Sequence, residues 1–137
     1  MHQKTPFLRF INSNVQRIRL VMKDFDNKVV VITGAGSGMG RAYAIEFARL
    51  GAKLAITDYD TEGLSGTEAF LKHLPHKGTY SEVLDISKKE SVFRFAKNVK
   101  KKLGNAHVIV NNAGIGGGGQ PVWNMEPSQY TQTLNVN

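Results

Sequence analysis

The chain has 137 residues, 41% hydrophobic and 21% charged, a balance that predicts one globular domain with a modest core. It contains no cysteine, which excludes disulfides and thiolate chemistry. Its four histidines (His2, His73, His76, His107) have no paired metal spacing, and no apolar run approaches the roughly 20 residues that a bilayer span needs. The net charge of +7 is uneven: Lys4, Arg9, Arg17, Arg19 and Lys23 stand in an acid-free stretch, leaving 13 of the 18 basic residues against all 11 acids, a balance that argues little for a nucleic-acid partner.

Residues 1–21 form a basic leader without the apolar centre of a secretory signal. Its composition suits a mitochondrial presequence or a membrane-surface helix. The competing reading, which the residues favour, makes Met22 the working start and 1–21 an upstream extension, because Met22 to Lys28 is a natural opening before a first strand. The fold is therefore expected over residues 22–137, in a protein of the cytoplasm, or of the mitochondrial matrix if the leader is real.

Val29 to Ile32 is a run of four β-favouring apolar residues, the pattern of a strand buried on both faces. Gly34, Gly36, Gly38 and Gly40 follow, and Arg41 to Leu50 has helical spacing (Ala44, Phe47, Ala48) that stops at Gly51. A strand, a glycine turn and a helix start make an anion site, because the first-turn N–H groups lack intrahelical partners and lie at the positive end of the dipole. A P-loop needs Lys-Ser/Thr after its last glycine, where Arg41 and Ala42 stand. The G-x-G-x-x-G pattern fails at Met39. The spacing that fits is Thr-Gly-x-x-x-Gly-x-Gly, on Thr33, Gly34, Gly38 and Gly40; a tight turn without a ligand is the alternative.

Lys53 to Thr57 reads as a second strand, ending at Asp58, eighteen positions after Gly40. An acid at that distance can accept hydrogen bonds from adenosine ribose hydroxyls. It also repels a 2′-phosphate of about −1.5 to −2 charges, by about 4 kcal/mol per pair of unit charges at 4 Å and an effective dielectric of 20. NAD is therefore expected over NADP; a helix cap or turn residue is the other reading of Asp58. Asp60 to Leu74 predicts a helix despite Gly63 and Gly66, and 73–78 a loop. Thr79 to Leu84 predicts a third strand ending at Asp85 and Ile86. Ser87 to Glu90 fits a capping box opening a helix with Val92, Ala96, Val99 and Leu103 as its apolar stripe. Lys97, Lys100, Lys101 and Lys102 suit that helix's C-terminal dipole and read as a solvated face. His107 to Val110 is the fourth strand, running into Asn111, Asn112, Ala113 and Gly114. Gly116 to Gly119 makes a flexible connection before Gln120 and Pro121, and Ser128 to Asn137 has the look of a final helix. Strands alternating with helices imply an α/β fold: a Rossmann-like, doubly wound parallel sheet in order 3-2-1-4, holding the first half and the opening strand of the second.

These motifs, in this order over about residues 24–137, resemble the N-terminal part of the short-chain dehydrogenase/reductase family. The resemblance implies a nucleotide loop at Thr33, Gly34, Ser37, Gly38, Met39 and Gly40, and a ribose acid at Asp58. It implies adenine recognition by Asp85 and Ile86, with an ordinary loop acid as the alternative for Asp85. Asn112, Ala113 and Gly114 would border the cofactor, and Asn137 would be the catalytic-site asparagine that organises a proton-relay water. The family's usual NADP devices, basic residues just before the middle glycine or just after the acid, are replaced by Ser37 and Tyr59, which again points to NAD. Family catalysis also uses a later serine and a Tyr-x-x-x-Lys pair. Tyr43, Tyr59, Tyr80 and Tyr130 are followed four residues later by Phe47, Gly63, Leu84 and Leu134. The expected function is thus the N-terminal segment, inactive alone, of an NAD(P)-dependent oxidoreductase acting on a small alcohol or carbonyl compound. Its complete form would be able to assemble as a homo-oligomer, with no membrane or nucleic-acid partner and no metal. A non-catalytic nucleotide-binding module, or a non-functional fragment with the fourth strand as an exposed apolar edge, are the alternatives.

Overall fold

A computed structural model describes residues 25–116, 119 and 121–137. The leader expected over 1–21 and the start at Met22 lie outside the described residues, as do Gly117 and Gly118 of the glycine connection and Gln120 after it. Strand β1 (Val29–Thr33) occupies the middle of the sheet because its side chains are apolar on both faces. Val30 and Ile32 join one core with Leu54 and Ile56 of β2 (Lys53–Asp58), while Val29 joins a second with Ala55, Leu84, Phe95 and Val99. Burying a Val, Leu or Ile side chain is worth about 1.5–3 kcal/mol, so four on the first face contribute about 6–12 kcal/mol, the scale of a whole domain's net stability. With β3 (Thr79–Val83) and β4 (Val108–Val110) the sheet runs β3-β2-β1-β4, every pair parallel, in the order expected.

Helix α1 (Gly38–Arg49) begins three residues before the expected Arg41, so the last glycines of the turn are its first turn. Gly40, Ala44 and Ala48, four residues apart, form its buried stripe, and their small size brings the helix close to the sheet. Helix α2 (Thr61–Leu71) is shorter than the expected 60–74: Asp60 stands outside it as the N-cap, its Oδ1 accepting the Glu62 N–H at 3.1 Å.

Helix α3 (Lys89–Leu103) departs from expectation twice. The capping box at Ser87 and Glu90 does not form. The Asp85 carboxylate accepts the Ser87 N–H at 2.9 Å and the Asp85 carbonyl accepts the Lys88 N–H at 3.1 Å, a turn that moves the cap to Lys88, whose side chain caps nothing. The buried stripe is Phe95 and Val99, with Leu103 packed on the same cluster, while Val92 and Ala96 are exposed. Phe95 decides this: its ring stacks on Tyr80 at 5.7 Å, and turning the helix to bury Val92 would return the larger aromatic surface to water. Lys97, Lys100 and Lys101 are solvated, and Lys102 lies over the Tyr80 ring at 4.1 Å.

β4 is held at its start by His107, whose N–H donates to the Val29 carbonyl (2.8 Å) while its Nδ1 accepts the Val29 N–H (3.0 Å). Its outer edge has no strand neighbour among the described residues, and Ile109 is 61% exposed. A 3₁₀ turn (Val122–Asn124) leads to α4 (Pro127–Val136), which buries no residue. Among the described residues no helix is long and apolar enough to cross a membrane. The α3 assignment is open to test by urea denaturation. Phe95→Ala should cost about 3–5 kcal/mol, whereas Phe93→Ala, on the exposed face, should stay within about 0.5 kcal/mol of the parent.

Candidate functional site

The carboxyl ends of the four parallel strands meet at one end of the sheet, where the loops leaving them enclose a cleft of about 570 Å³. This is within the size range of small-molecule sites. The glycine turn forms its floor. Gly34 has a φ of +66°, the left-handed region, and a Cβ there would lie 2.8 Å from the Ala113 Cα, so the turn rests directly on the segment after β4. At Gly40 a Cβ would lie 2.0 Å from the Gly34 carbonyl oxygen. Ser37 holds the N-cap position of α1 in extended conformation but makes no capping hydrogen bond. The helix's positive end, with Ser37, Gly38 and Met39 on the cleft surface, therefore keeps free donors.

Asp58, at the end of β2, accepts the Gly36 N–H on Oδ2 at 2.7 Å and the Asp60 N–H on Oδ1 at 2.9 Å. It is a turn residue and a cleft residue at once, since each carboxylate oxygen retains a lone pair. After β3, Asp85 and Ile86 line the next wall. Hydrogen bonds from Ser87, first from its side chain and then from its backbone, hold the Asp85 carboxyl below the usual carboxylate range, and Lys88 adds a smaller electrostatic contribution.

Asn112, Ala113 and Gly114 form the wall after β4. The Asn112 Nδ2 donates to the carbonyls of Thr33 (3.0 Å) and Gly34 (3.1 Å), and the Thr33 hydroxyl accepts the N–H groups of Asn112 and Ala113, both at 3.0 Å. Asn137, at the end of α4, brackets one residue: its Oδ1 accepts the Ile115 N–H (2.9 Å) and its Nδ2 donates to the Ile115 carbonyl (3.1 Å).

The sequence-predicted site residues all line this cleft except Thr33, Gly40 and Asn137, which stand behind it and hold its walls. Sequence reasoning passed over Leu84, Ile115, Gln132 and Val136, which also line it, and gave Tyr59 and Ser87 no lining role. The four-residue spacing of Gln132 and Val136 was a usable signal, but only once α4 is known to flank the cleft. Among the described residues no group of three or more His, Cys, Asp or Glu side chains is placed to hold a metal ion.

The family profile described as short chain dehydrogenase matches residues 28–137. The chain belongs to the short-chain dehydrogenase family. Epidermal retinol dehydrogenase 2 of Homo sapiens is 41% identical over 93 residues, which are 68% of this chain and 30% of that protein. Among solved structures, a short-chain dehydrogenase/reductase from Burkholderia phymatum in complex with NAD is 36% identical with a TM-score of 0.75, covering 82% of this chain and 40% of that one. A metagenomic short-chain oxidoreductase in complex with NADP is 32% identical with a TM-score of 0.74, covering 82% and 50%. This short-chain dehydrogenase chain thus spans 30% of the length of the human relative and half or less of the two structures.

Two measurements follow from the geometry. Asn112→Ala removes a side chain that satisfies two carbonyls and should lower stability by about 1–3 kcal/mol in thermal or urea unfolding. Asp85 has its carboxyl depressed in the fold, so its contribution is present above about pH 4 and is lost as pH falls through the depressed value. The stability of Asp85→Ala should therefore lie below the parent at pH 7 and converge with it in acid.

Proposed function

We propose that the cleft binds the adenosine and pyrophosphate portions of a nicotinamide dinucleotide, and that the chain serves an oxidoreductase passing hydride between that cofactor and an alcohol or carbonyl compound. The observation that carries the reading is the pairing of an uncapped helix N-terminus with an acid at the end of the neighbouring strand, on one cleft. The open donors of α1 suit a pyrophosphate, and the glycines of the turn let it approach without meeting a side chain. Asp58 retains lone pairs for the ribose hydroxyls, and Asp85 with the Ile86 N–H suits the adenine edge. Asn112 and Thr33 keep the β1 and β4 walls at a fixed separation.

NAD is the proposed form. A 2′-phosphate beside Asp58 would bring like charges together at a cost of several kcal/mol, and neither Ser37 nor Tyr59 offers a compensating cation. Arg41 does not line the cleft, and three of its five N–H donors, on Nε and Nη2, are committed to Thr67, Gly36 and Gly63. The NAD and NADP complexes among the structural relatives support a nicotinamide cofactor of either kind, so the preference rests on this electrostatic argument. When bound, the cofactor supplies the hydride acceptor or donor; the chain's residues bind and orient it. Asn137 is proposed as the organiser of a proton-relay water. Its amide spends one donor and one lone pair on Ile115 and keeps one of each.

Isothermal titration of the chain with NADH and NADPH tests the reading. NADH should bind the more tightly, and Asp58→Ala should weaken NADH by about tenfold, the loss of one charged hydrogen bond, while narrowing the margin over NADPH. Unchanged constants for both nucleotides would remove the ribose role of Asp58.

A further inference from the structure

Arg41 stands in the first turn of α1 but does not line the cleft. Its guanidinium reaches back beneath the glycine turn. Nη2 donates to the Gly36 carbonyl and to the Gly63 carbonyl (3.1 Å), and Nε donates to the Thr67 hydroxyl (2.9 Å). Thr67 is fully buried on α2, and its hydroxyl donates in turn to the Ala35 carbonyl at 2.8 Å. The carbonyls of Ala35 and Gly36 are thus both held from below by one connected set of donors.

Gly36 is held from the other side as well. Its N–H donates to Asp58 Oδ2 at 2.7 Å, and a Cβ at this position would lie 2.9 Å from the Asp58 Cγ. A glycine backbone has the widest conformational freedom of any residue, so by itself Gly36 would be a poor anchor for a carboxylate. The peptide plane that carries its N–H also carries the Ala35 carbonyl, which Thr67 holds. Arg41 holds the Thr67 hydroxyl and the Gly36 carbonyl of the next plane, so with both planes fixed the Gly36 N–H becomes a fixed donor. A guanidinium suits this task, because its planar fork addresses two carbonyls and a hydroxyl in fixed directions, which an ammonium on a flexible stem does not reproduce.

We propose that Arg41 is a positioning residue for cofactor selectivity: through Gly36 it sets the orientation in which Asp58 accepts the ribose hydroxyls and repels a 2′-phosphate. The inference rests on the proposed ribose role of Asp58. Both tasks of the carboxylate depend on direction, and both weaken if the Ala35–Gly36 peptide is free to turn. NADH then loses an attraction while NADPH loses a repulsion, so the ratio of the two affinities moves more than either would from a general loosening.

The test is titration of the chain and its Arg41→Met, Arg41→Lys and Thr67→Val variants with NADH and NADPH, beside thermal melts and the Asp58→Ala variant. Arg41→Met should weaken NADH by about tenfold, the scale of a lost charged hydrogen bond, with NADPH changed less. Arg41→Lys should narrow the ratio in the same direction despite keeping the charge, and Thr67→Val, which frees the Ala35 carbonyl, should narrow it too. If Arg41→Met does not fold, the lysine and valine variants carry the same comparison. A fall in melting temperature with the NADH-to-NADPH ratio preserved would make Arg41 merely structural and overturn the inference. The two failures are separable. A parent that binds neither nucleotide, or an Asp58→Ala variant with an unaltered ratio, removes the ribose reading and this inference with it. A ratio that narrows in Asp58→Ala but not in the Arg41 variants removes the inference alone.

Discussion

The carbonyl oxygen of Gly34 lies 2.0 Å from where a Cβ at position 40 would stand, and the arrangement of the cleft depends on that missing atom. Helix propensity alone would favour alanine over glycine in α1 by about 1 kcal/mol. Forcing a methyl group into a space already filled by backbone costs about 1–3 kcal/mol, and the Asn112 amide, 2.7 Å from the same point, could yield only by giving up its bonds to the Thr33 and Gly34 carbonyls. Packing therefore overrides propensity. With position 40 bare, the first turn of α1 sits on the turn that precedes it. The Gly40, Ala44 and Ala48 stripe then lies flat on β1 and β2, and the helix's positive end opens where the strands finish.

Several polar residues serve the fold and the cleft together, so a turn residue and a cleft residue are not alternatives here. Asp58 closes the Gly36 and Asp60 turns with the same carboxylate that faces the cleft. Asn112 satisfies two carbonyls of the β1 end while bordering the same space. Folding such a group already arranges it, so little ordering of side chains is left for a ligand to impose.

Much of this was legible in the sequence because it is governed locally. Four β-favouring residues from Val29 to Ile32 admit little besides a strand buried on both faces, and that strand's place fixes the order of the others. The glycine turn, Asp58 and the Asn111 to Gly114 segment are likewise visible because backbone demands and strand ends recur at short, regular distances. What escaped required knowledge of tertiary neighbours. Val92 and Ala96 fit a helical stripe with Val99 and Leu103 as well as Phe95 does, and only the Tyr80 ring opposite decides for Phe95. Ser87 and Glu90 have capping-box spacing, but Asp85, outside that four-residue window, takes the Ser87 N–H first. Arg41 served in the sequence to open a helix and to exclude a P-loop; its tie to Thr67 spans 26 residues and leaves no local mark.

The sheet also has an order of assembly written into it. Val30 pairs with Leu54, 24 residues on, and with Val108, 78 residues on. Closing the longer loop costs about 1 kcal/mol more in chain entropy, and at the roughly 5–20 residues per second of synthesis β4 leaves the ribosome several seconds after β2. For that interval the growing chain holds one flank of β1 unpaired, a template for a wrong strand. The wall carrying Asn112 to Gly114 is the last of the four to arrive, so a ligand that touches both sides of the cleft stabilises only the finished sheet.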